Sequence, residues 1–212
     1  MVPYPKLINY LISHNSIATT MFTNKMEAVN NSKVKLASFD PKQGLDRGVS
    51  RITEVIWYFI KIAFFLTAIP YPSKFKGYML KLFGAKIGER VIIKPRVNIH
   101  MPWKLSVGDD TWIGEEVFVL NFEFVNIGSN VCISQRAFLC AGNHNYKDPA
   151  MPYKNGPISL KDGSWIGAGC FIGPNVVIGY DTVLTAYSTI TNNTLDNSIY
   201  KGNPAVFFKN RW

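Results

Sequence analysis

The sequence predicts a mainly β protein, a parallel β-helix built from hexapeptides, with an α-helical hairpin ahead of it and a short extension behind. Two observations carry that expectation. Aliphatic residues recur every six positions: Ile87, Ile93, Ile99, Leu105; Val107, Ile113, Val119, Val125; Ile127, Ile133, Leu139; then Leu160, Ile166, Ile172, Ile178, Leu184, Ile190. Small or β-branched residues sit four places further on, as at Val91, Val97, Thr111, Val117, Val131, Ala137, Cys170, Val176, Thr182, Ser188 and Thr194. A period of six fits neither the 3.6 of a helix nor the 2 of an amphipathic strand. It fits a solenoid in which each hexapeptide makes one flat side, three sides make a coil, and the aliphatic side chains stack inside. Glycine follows the aliphatic residue at Gly88, Gly108, Gly114, Gly128, Gly167, Gly173 and Gly179, and is expected to relieve crowding where the chain turns.

The chain is long enough for one domain plus an appendage: 212 residues, 47% hydrophobic and 17% charged, a balance that excludes disordered and low-complexity classes. Its longest nearly apolar stretch, residues 55–69, contains Lys61 and falls short of the roughly 20 residues a spanning helix needs. The first 20 residues hold no continuous apolar run, so no secretory signal is read and a cytoplasmic location is expected. Residues 1–38 are polar and aperiodic, a flexible tail in which Met21 and Met26 are alternative starts.

Residues 39–86 form the hairpin segment. A first helix is expected over 50–69 and is stopped by Pro70 and Pro72; a second is expected to start at Ser73 as N-cap and to end at Gly84. On the second helix Phe75, Met79, Leu82 and Phe83 share a face, with Lys74, Lys76 and Lys81 away from it. Of the net charge of +9, residues 1–86 carry +8. A basic amphipathic segment can lie on an anionic membrane, here through residues 50–83, or pack on the main domain or a neighbouring subunit. No nucleic acid is expected as a partner, because the basic residues are mixed with a dense apolar stretch. Cys132, Cys140 and Cys170 lack metal or disulfide spacing and read as small buried hydrophobes.

Residues 87–205 are the solenoid, and 206–212 a C-terminal tail. The six-residue register shifts by two at Leu105 to Val107 and at Val125 to Ile127, and a longer loop, residues 141–157, leaves the solenoid after Leu139. Long loops on a rigid scaffold carry function. This one holds His144, one of three histidines.

The segments FDPKQGLDRG (39–48), PSKFKGYMLKLFGAKIG (72–88), PWKLSVGDDTWIG (102–114), IGSNVCISQRAFLCAGNHNY (127–146), DGSWIGAGCFIGPNVVIG (162–179) and YKGNPA (200–205) resemble the hexapeptide-repeat acyltransferases, and more narrowly the colanic-acid-type sugar O-acetyltransferases. The resemblance implies a left-handed β-helix, a homotrimer with active sites between subunits, acetyl-CoA as acyl donor, no metal, and direct acetyl transfer to a saccharide hydroxyl. It assigns His144 as the general base and Asn121 and Trp165 to the acceptor side. Ala168, Ala186 and Thr191 would line the groove for CoA. Imidazole suits the role, since it titrates near neutrality.

The family often has a cation after G-N-P-A where this chain has Val206, and Thr-Lys-Asp where it has Thr191-Asn192-Asn193. The segment before Gly202 also lacks the usual prolines. Lys209, with Lys201 and Arg211, could supply the missing charge. Each residue also has a structural reading: a solvated loop histidine, an Asn satisfying a coil corner, a packing Trp, alanines small because coils stack closely, and a structural His100. Alternatives to a sugar O-acetyltransferase are an amino-sugar or serine acetyltransferase, a zinc hydratase on the same solenoid, disfavoured because only His100 and His144 lie in it, and a non-catalytic scaffold.

Overall fold

The computed structural model describes residues 32–212. The expected tail falls mostly outside the described residues, as do Met21 and Met26. The chain divides into two units. In the smaller, residues 32–40 with Tyr146–Met151, a 3-10 turn covers Leu36–Ser38 and the Lys35 N–H donates to the Pro149 carbonyl at 2.8 Å. The larger contains the hairpin and the solenoid.

The solenoid has five complete coils. The first is β1 (Lys86–Ile87), β2 (Ile92–Ile93) and β3 (Asn98–Ile99); the second β4 (Leu105–Val107), β5 (Trp112–Ile113) and β6 (Phe118–Leu120). The third is β7 (Val125–Ile127), β8 (Cys132–Ile133) and β9 (Phe138–Cys140); the fourth β10 (Ile158–Leu160), β11 (Trp165–Ile166) and β12 (Phe171–Ile172). The fifth is β13 (Val177–Ile178), β14 (Val183–Leu184) and β15 (Thr189–Ile190), and β16 (Ser198–Lys201) starts a sixth before β17 (Val206–Asn210). The first strands of each coil pair in parallel as side 1, β1-β4-β7-β10-β13; the second strands form side 2, β2-β5-β8-β11-β14-β16; the third form side 3, β3-β6-β9-β12-β15. Strand β17 joins the end of side 2 antiparallel to β16.

The hexad prediction is met residue for residue. Ile87, Val107, Ile127, Leu160 and Ile178 align across side 1. Ile93, Ile113, Ile133, Ile166, Leu184 and Tyr200 align across side 2. Ile99, Val119, Leu139, Ile172 and Ile190 do so across side 3. All are buried, and each such side chain contributes about 1.5–3 kcal/mol of burial. The corner residues are buried too, Thr194 excepted, which is half-buried.

The repeat glycines relieve crowding as expected, and the crowding is between stacked coils. Positive φ falls on Arg90, Arg96, Asp110, Glu116 and Arg136, at 54° to 61°, while the repeat glycines allow coils to touch. A Cβ on Gly108 would lie 2.6 Å from the carbonyl carbon of Gly128, and one on Gly167 2.6 Å from the Ala186 nitrogen.

The hairpin closes the N-terminal end of the solenoid. Helix α1 (Arg51–Ile60) is capped by Ser50, whose hydroxyl accepts from the Thr53 N–H at 3.2 Å. The expected helix to residue 69 is interrupted: Lys61–Phe65 form a π-helical turn. Eight residues of α-helix overshoot two turns; the wider turn brings Phe65 back into line with Trp57, their rings 5.2 Å apart, and both are buried. The Trp57 indole N–H donates to the Ile99 carbonyl at 3.1 Å, fixing α1 on the first coil. On the opposite face Ile52, Val55, Ile56, Phe59, Ile62 and Leu66 are exposed.

Helix α2 (Ser73–Leu82) departs from expectation in two ways. Ser73 is not the cap; its hydroxyl accepts from the Ile93 N–H at 3.0 Å, and Pro72 holds the cap position. Lys76 is fully buried, its ammonium donating to the carbonyls of Ile93 at 3.3 Å and Lys94 at 3.0 Å, and burial lowers its pKa. Leu82, placed on the apolar face, is exposed. Gly84 ends the helix as expected, at φ +89° with the Ala85 N–H donating to the Leu80 carbonyl. Of the cysteines, Cys170 is buried, and Cys132 and Cys140 are half-buried.

Candidate active site

The corner where side 3 turns into side 1 gathers His100, Asn121, Phe122 and the stem of the 141–157 loop. The stem is a hairpin. His144 bridges Tyr153 antiparallel, the Asn145 N–H donates to the Pro152 carbonyl and the Lys154 N–H to the Asn143 carbonyl, both at 2.8 Å. The Asn143 side chain accepts from the His144 N–H at 2.8 Å, and the Asn143 N–H donates to the Asn155 side chain at 3.0 Å. These bonds fix the His144 backbone and leave its half-buried ring beside Tyr153, centroids 4.8 Å apart. The aromatic row continues from Tyr153 to Phe122 at 5.4 Å and from Phe122 to His100 at 5.1 Å.

Segment 41–48 buttresses this corner. The Asn155 amide donates to the Gly44 carbonyl at 3.1 Å and the Tyr153 N–H to the Gln43 carbonyl at 3.3 Å. Buried Lys104 donates to the Asp46 and Phe122 carbonyls, and the Trp103 indole to the Arg47 carbonyl at 2.6 Å. Gly44 has φ +79°, and a Cβ there would collide with the Tyr153 carbonyl. Gly44→Ala is therefore expected to displace the His144 stem and to lower turnover by at least tenfold. It should also lower the melting temperature by a few degrees, the scale of about 1–2 kcal/mol in a chain of this size. Turnover assays and thermal melts read both, and wild-type turnover would show that the stem does not depend on this segment.

Asn121, assigned to the acceptor, is fully buried: its amide oxygen accepts from the Met101 N–H at 2.8 Å and its nitrogen donates to the Met101 carbonyl. Both amide groups of Asn121 are thus engaged with the Met101 backbone. His100 is held neutral. Burial, then the charges of Lys61 and Arg47, against the opposing pull of Glu54, bring its pKa from 6.5 down to about 4. Folding therefore favours the neutral ring; that contribution is complete above pH 6.5 and is lost as pH falls towards 4. Wild type is expected to lose about 2–3 kcal/mol relative to His100→Gln by pH 4, measured as urea midpoints at pH 7 and pH 4. Equal pH dependence would exclude the effect.

The remaining site residues lie elsewhere. Thr191 follows β15 at the same side 3 to side 1 corner as His144. Trp165 is on the outer face of side 2, 47% exposed, its indole donating to the Ser134 hydroxyl at 3.0 Å. Ala168 and Ala186 occupy the corner between sides 2 and 3, where Ala168 lines a groove of about 240 Å³ with Gln135, Arg136 and Tyr187. Lys209 pairs with Ile199, three strands along side 2 from Trp165 through Val183 and Ile199. Arg211 is committed to the Gly163 and Asp181 carbonyls at 3.1 and 3.0 Å, and Lys201 lies over the Phe208 ring at 3.5 Å. One chain thus places His144 and Thr191 at one corner, and Trp165, Ala168, Ala186 and Lys209 on side 2 and its other corner. Among the described residues no group of three or more His, Cys, Asp or Glu side chains is placed to hold a metal ion. Sequence reasoning missed Tyr153, Phe122 and Asn143; the only signal for them was proximity to His144 or its corner.

Comparison with known proteins decides the family. No protein-family model matches the chain. WcaF of Escherichia coli strain K12, whose name places it among the acetyltransferases of colanic acid biosynthesis, is 33% identical over 176 residues, 83% of this chain and 96% of its own. The chain belongs to the hexapeptide-repeat acetyltransferase family. Solved members share its fold. VCA0836 of Vibrio cholerae, a hexapeptide-repeat acetyltransferase complexed with acetyl-CoA, superposes with TM-score 0.69 at 19% identity, covering 78% of this chain and 92% of its own. A maltose O-acetyltransferase from Clostridium difficile 630 does so with TM-score 0.65 at 19% identity, over 76% and 89%. The hexapeptide-repeat fold thus accounts for the solenoid, and family membership makes the protein an acetyltransferase.

Proposed function

We propose that this acetyltransferase moves an acetyl group from acetyl-CoA to a hydroxyl of a saccharide in the biosynthesis of a surface polysaccharide, at sites between the subunits of a homotrimer. The observation that carries the reading is the fixed placement of His144 at a coil corner, in a stem bonded at both strands. The relatives' names point to a saccharide acceptor: colanic acid biosynthesis for WcaF, and maltose for the Clostridium difficile enzyme. In the reaction His144 takes the acceptor hydroxyl proton as the oxygen attacks the thioester carbonyl; the tetrahedral intermediate collapses and CoA leaves as its thiol, taking up a proton. The CoA thioester donor fits a cytoplasmic location.

The trimer is supported by the division of the site, since a neighbouring side 2 would bring Trp165 and Ala168 to a His144 they do not meet within one chain. The groove beside Ala168, with Ala186 and Lys209 from one subunit and Thr191 from the subunit that supplies His144, would take the donor. The test is acetyl transfer from acetyl-CoA to a panel of free, nucleotide-linked and lipid-linked sugars, together with subunit mixing. His144→Ala and Ala168→Trp are each expected to be inactive, and co-refolded mixtures to regain activity. Mixtures as inactive as their parents would remove the shared site, and no transfer to any saccharide would remove the function.

Peripheral contact with an anionic membrane through residues 50–83 is supported by the exposed apolar face of α1 and by exposed Lys74 and Lys81. No helix among the described residues is long and apolar enough to cross a membrane. The contact predicts co-sedimentation with phosphatidylglycerol vesicles and not with phosphatidylcholine vesicles; absence of both would exclude it.

A further inference from the structure

Between α1 and the first coil lies a cavity of about 400 Å³ with mostly apolar walls, among them Val55, Trp57, Tyr58, Met101 and Trp103. Lys61, Arg47, Glu54 and His100 also line it. This lysine is 93% buried, since only 7% of its surface is exposed. Unlike buried Lys76 and Lys104, whose ammonium groups each donate to two carbonyls, the Lys61 ammonium makes no hydrogen bond or ion pair with any described residue; it lies 5.9 Å from the Tyr58 ring centroid, and its charge acts on His100. Burial of its stem in the apolar wall lowers its pKa. The acid nearest along the helix, Glu54, is taken by Arg47 and Arg51 at 2.9 and 3.1 Å. Residues 55–88 contain no Asp or Glu at all. Lys61 also opens the π-helical turn, a distortion that recurs at functional sites.

We propose that this cavity is a binding site for an anionic amphiphile, a single apolar chain ending in a phosphate or carboxylate, with the chain against the indole and phenol walls and the head paired with Lys61. Such a ligand suits both features at once: apolar walls for the chain and a lysine at the cavity wall for the head. His100 shares the cavity wall and begins the aromatic row that ends at His144, so the site lies beside the candidate base without including it. The assignment goes beyond the acetyl-transfer reading and does not depend on it.

Titration calorimetry on the full chain tests it, with decyl phosphate and decanoate below their micellar concentrations and neutral decyl maltoside as comparison. Saturable binding of one anionic amphiphile per chain is expected, at least tenfold tighter than decyl maltoside. Lys61→Met, checked for a native melt, should weaken the anionic ligands tenfold or more and leave the neutral one unchanged. Val55→Trp, which fills the mouth from a half-exposed position, should block all three. His144→Ala should bind as wild type does, so loss of catalysis and loss of this site are read separately. Displacement of decyl phosphate by phosphatidylglycerol vesicles would identify the bilayer as source, and its absence a soluble amphiphile. Binding only above the micellar concentration, no preference for the anion, or undiminished binding to Lys61→Met would each overturn the proposal.

Discussion

Replacing His144 by alanine is expected to lower acetyl transfer about a thousandfold, within the 10²–10⁴ range that a positioned acid–base group supplies, and to leave the fold intact. The expectation of an intact fold comes from the bonds that hold the residue. The His144 N–H donates to Asn143, and its pairing with Tyr153 runs through the backbone, so alanine retains both. What is lost is one half-buried ring packed on Tyr153. Steady-state transfer, acetyl-CoA titration and a thermal melt on the same preparation separate the outcomes. Lost turnover with unchanged donor affinity and melting temperature supports the general base. Turnover near that of wild type would remove His144 from the reaction.

The largest stability effect is expected at the middle of a column. Leu139→Ala should cost about 3–4 kcal/mol, within the range for buried Leu→Ala changes, and lower the melting temperature by roughly 10 °C. Leu139 is fully buried, with Val119 in register on one side and Ile172 on the other. Strands of two or three residues anchored on both sides have little freedom to collapse into the space, which favours the upper part of the range. Because β9 leads directly into the His144 stem, activity at low temperature should fall as well. Trp112, in the outward row of side 2 and 57% exposed, provides the control: Trp112→Ala should change stability by under about 1 kcal/mol. Equal losses at the two positions would contradict the inward stacking.

The solenoid was legible because its physics is local and repeated. One aliphatic position in six is both the sequence signal and the buried column, so periodicity alone identified Ile113, Ile133 and Ile166 as neighbours. The crowding-relief role of the repeat glycines was legible, but which coil each one meets was not, because the approach between Gly108 and Gly128 depends on coils twenty residues apart being stacked. The same holds for Lys76 and Asn121. A lysine on a helix reads as solvated and an asparagine at a loop as available; only the backbone carbonyls and N–H of the first coil and its corner, which they bond, turn them inward. His144 was found from its loop and the family resemblance, whereas Tyr153 and Gly44, which hold it, sit 9 and 100 residues away and carry no pattern of their own.

A parallel solenoid is in principle an open-ended template, since its last coil offers unpaired backbone groups in the register that another molecule's first coil could continue. The reversal of direction at β17 closes that route on side 2. An incoming strand there meets an antiparallel edge with Phe207 and Phe208 beside Lys209, and at the opposite end α1 and α2 cover the first coil. Continuation of side 2 thus meets a change of chain polarity at one end, and the first coil is covered by a helical lid at the other.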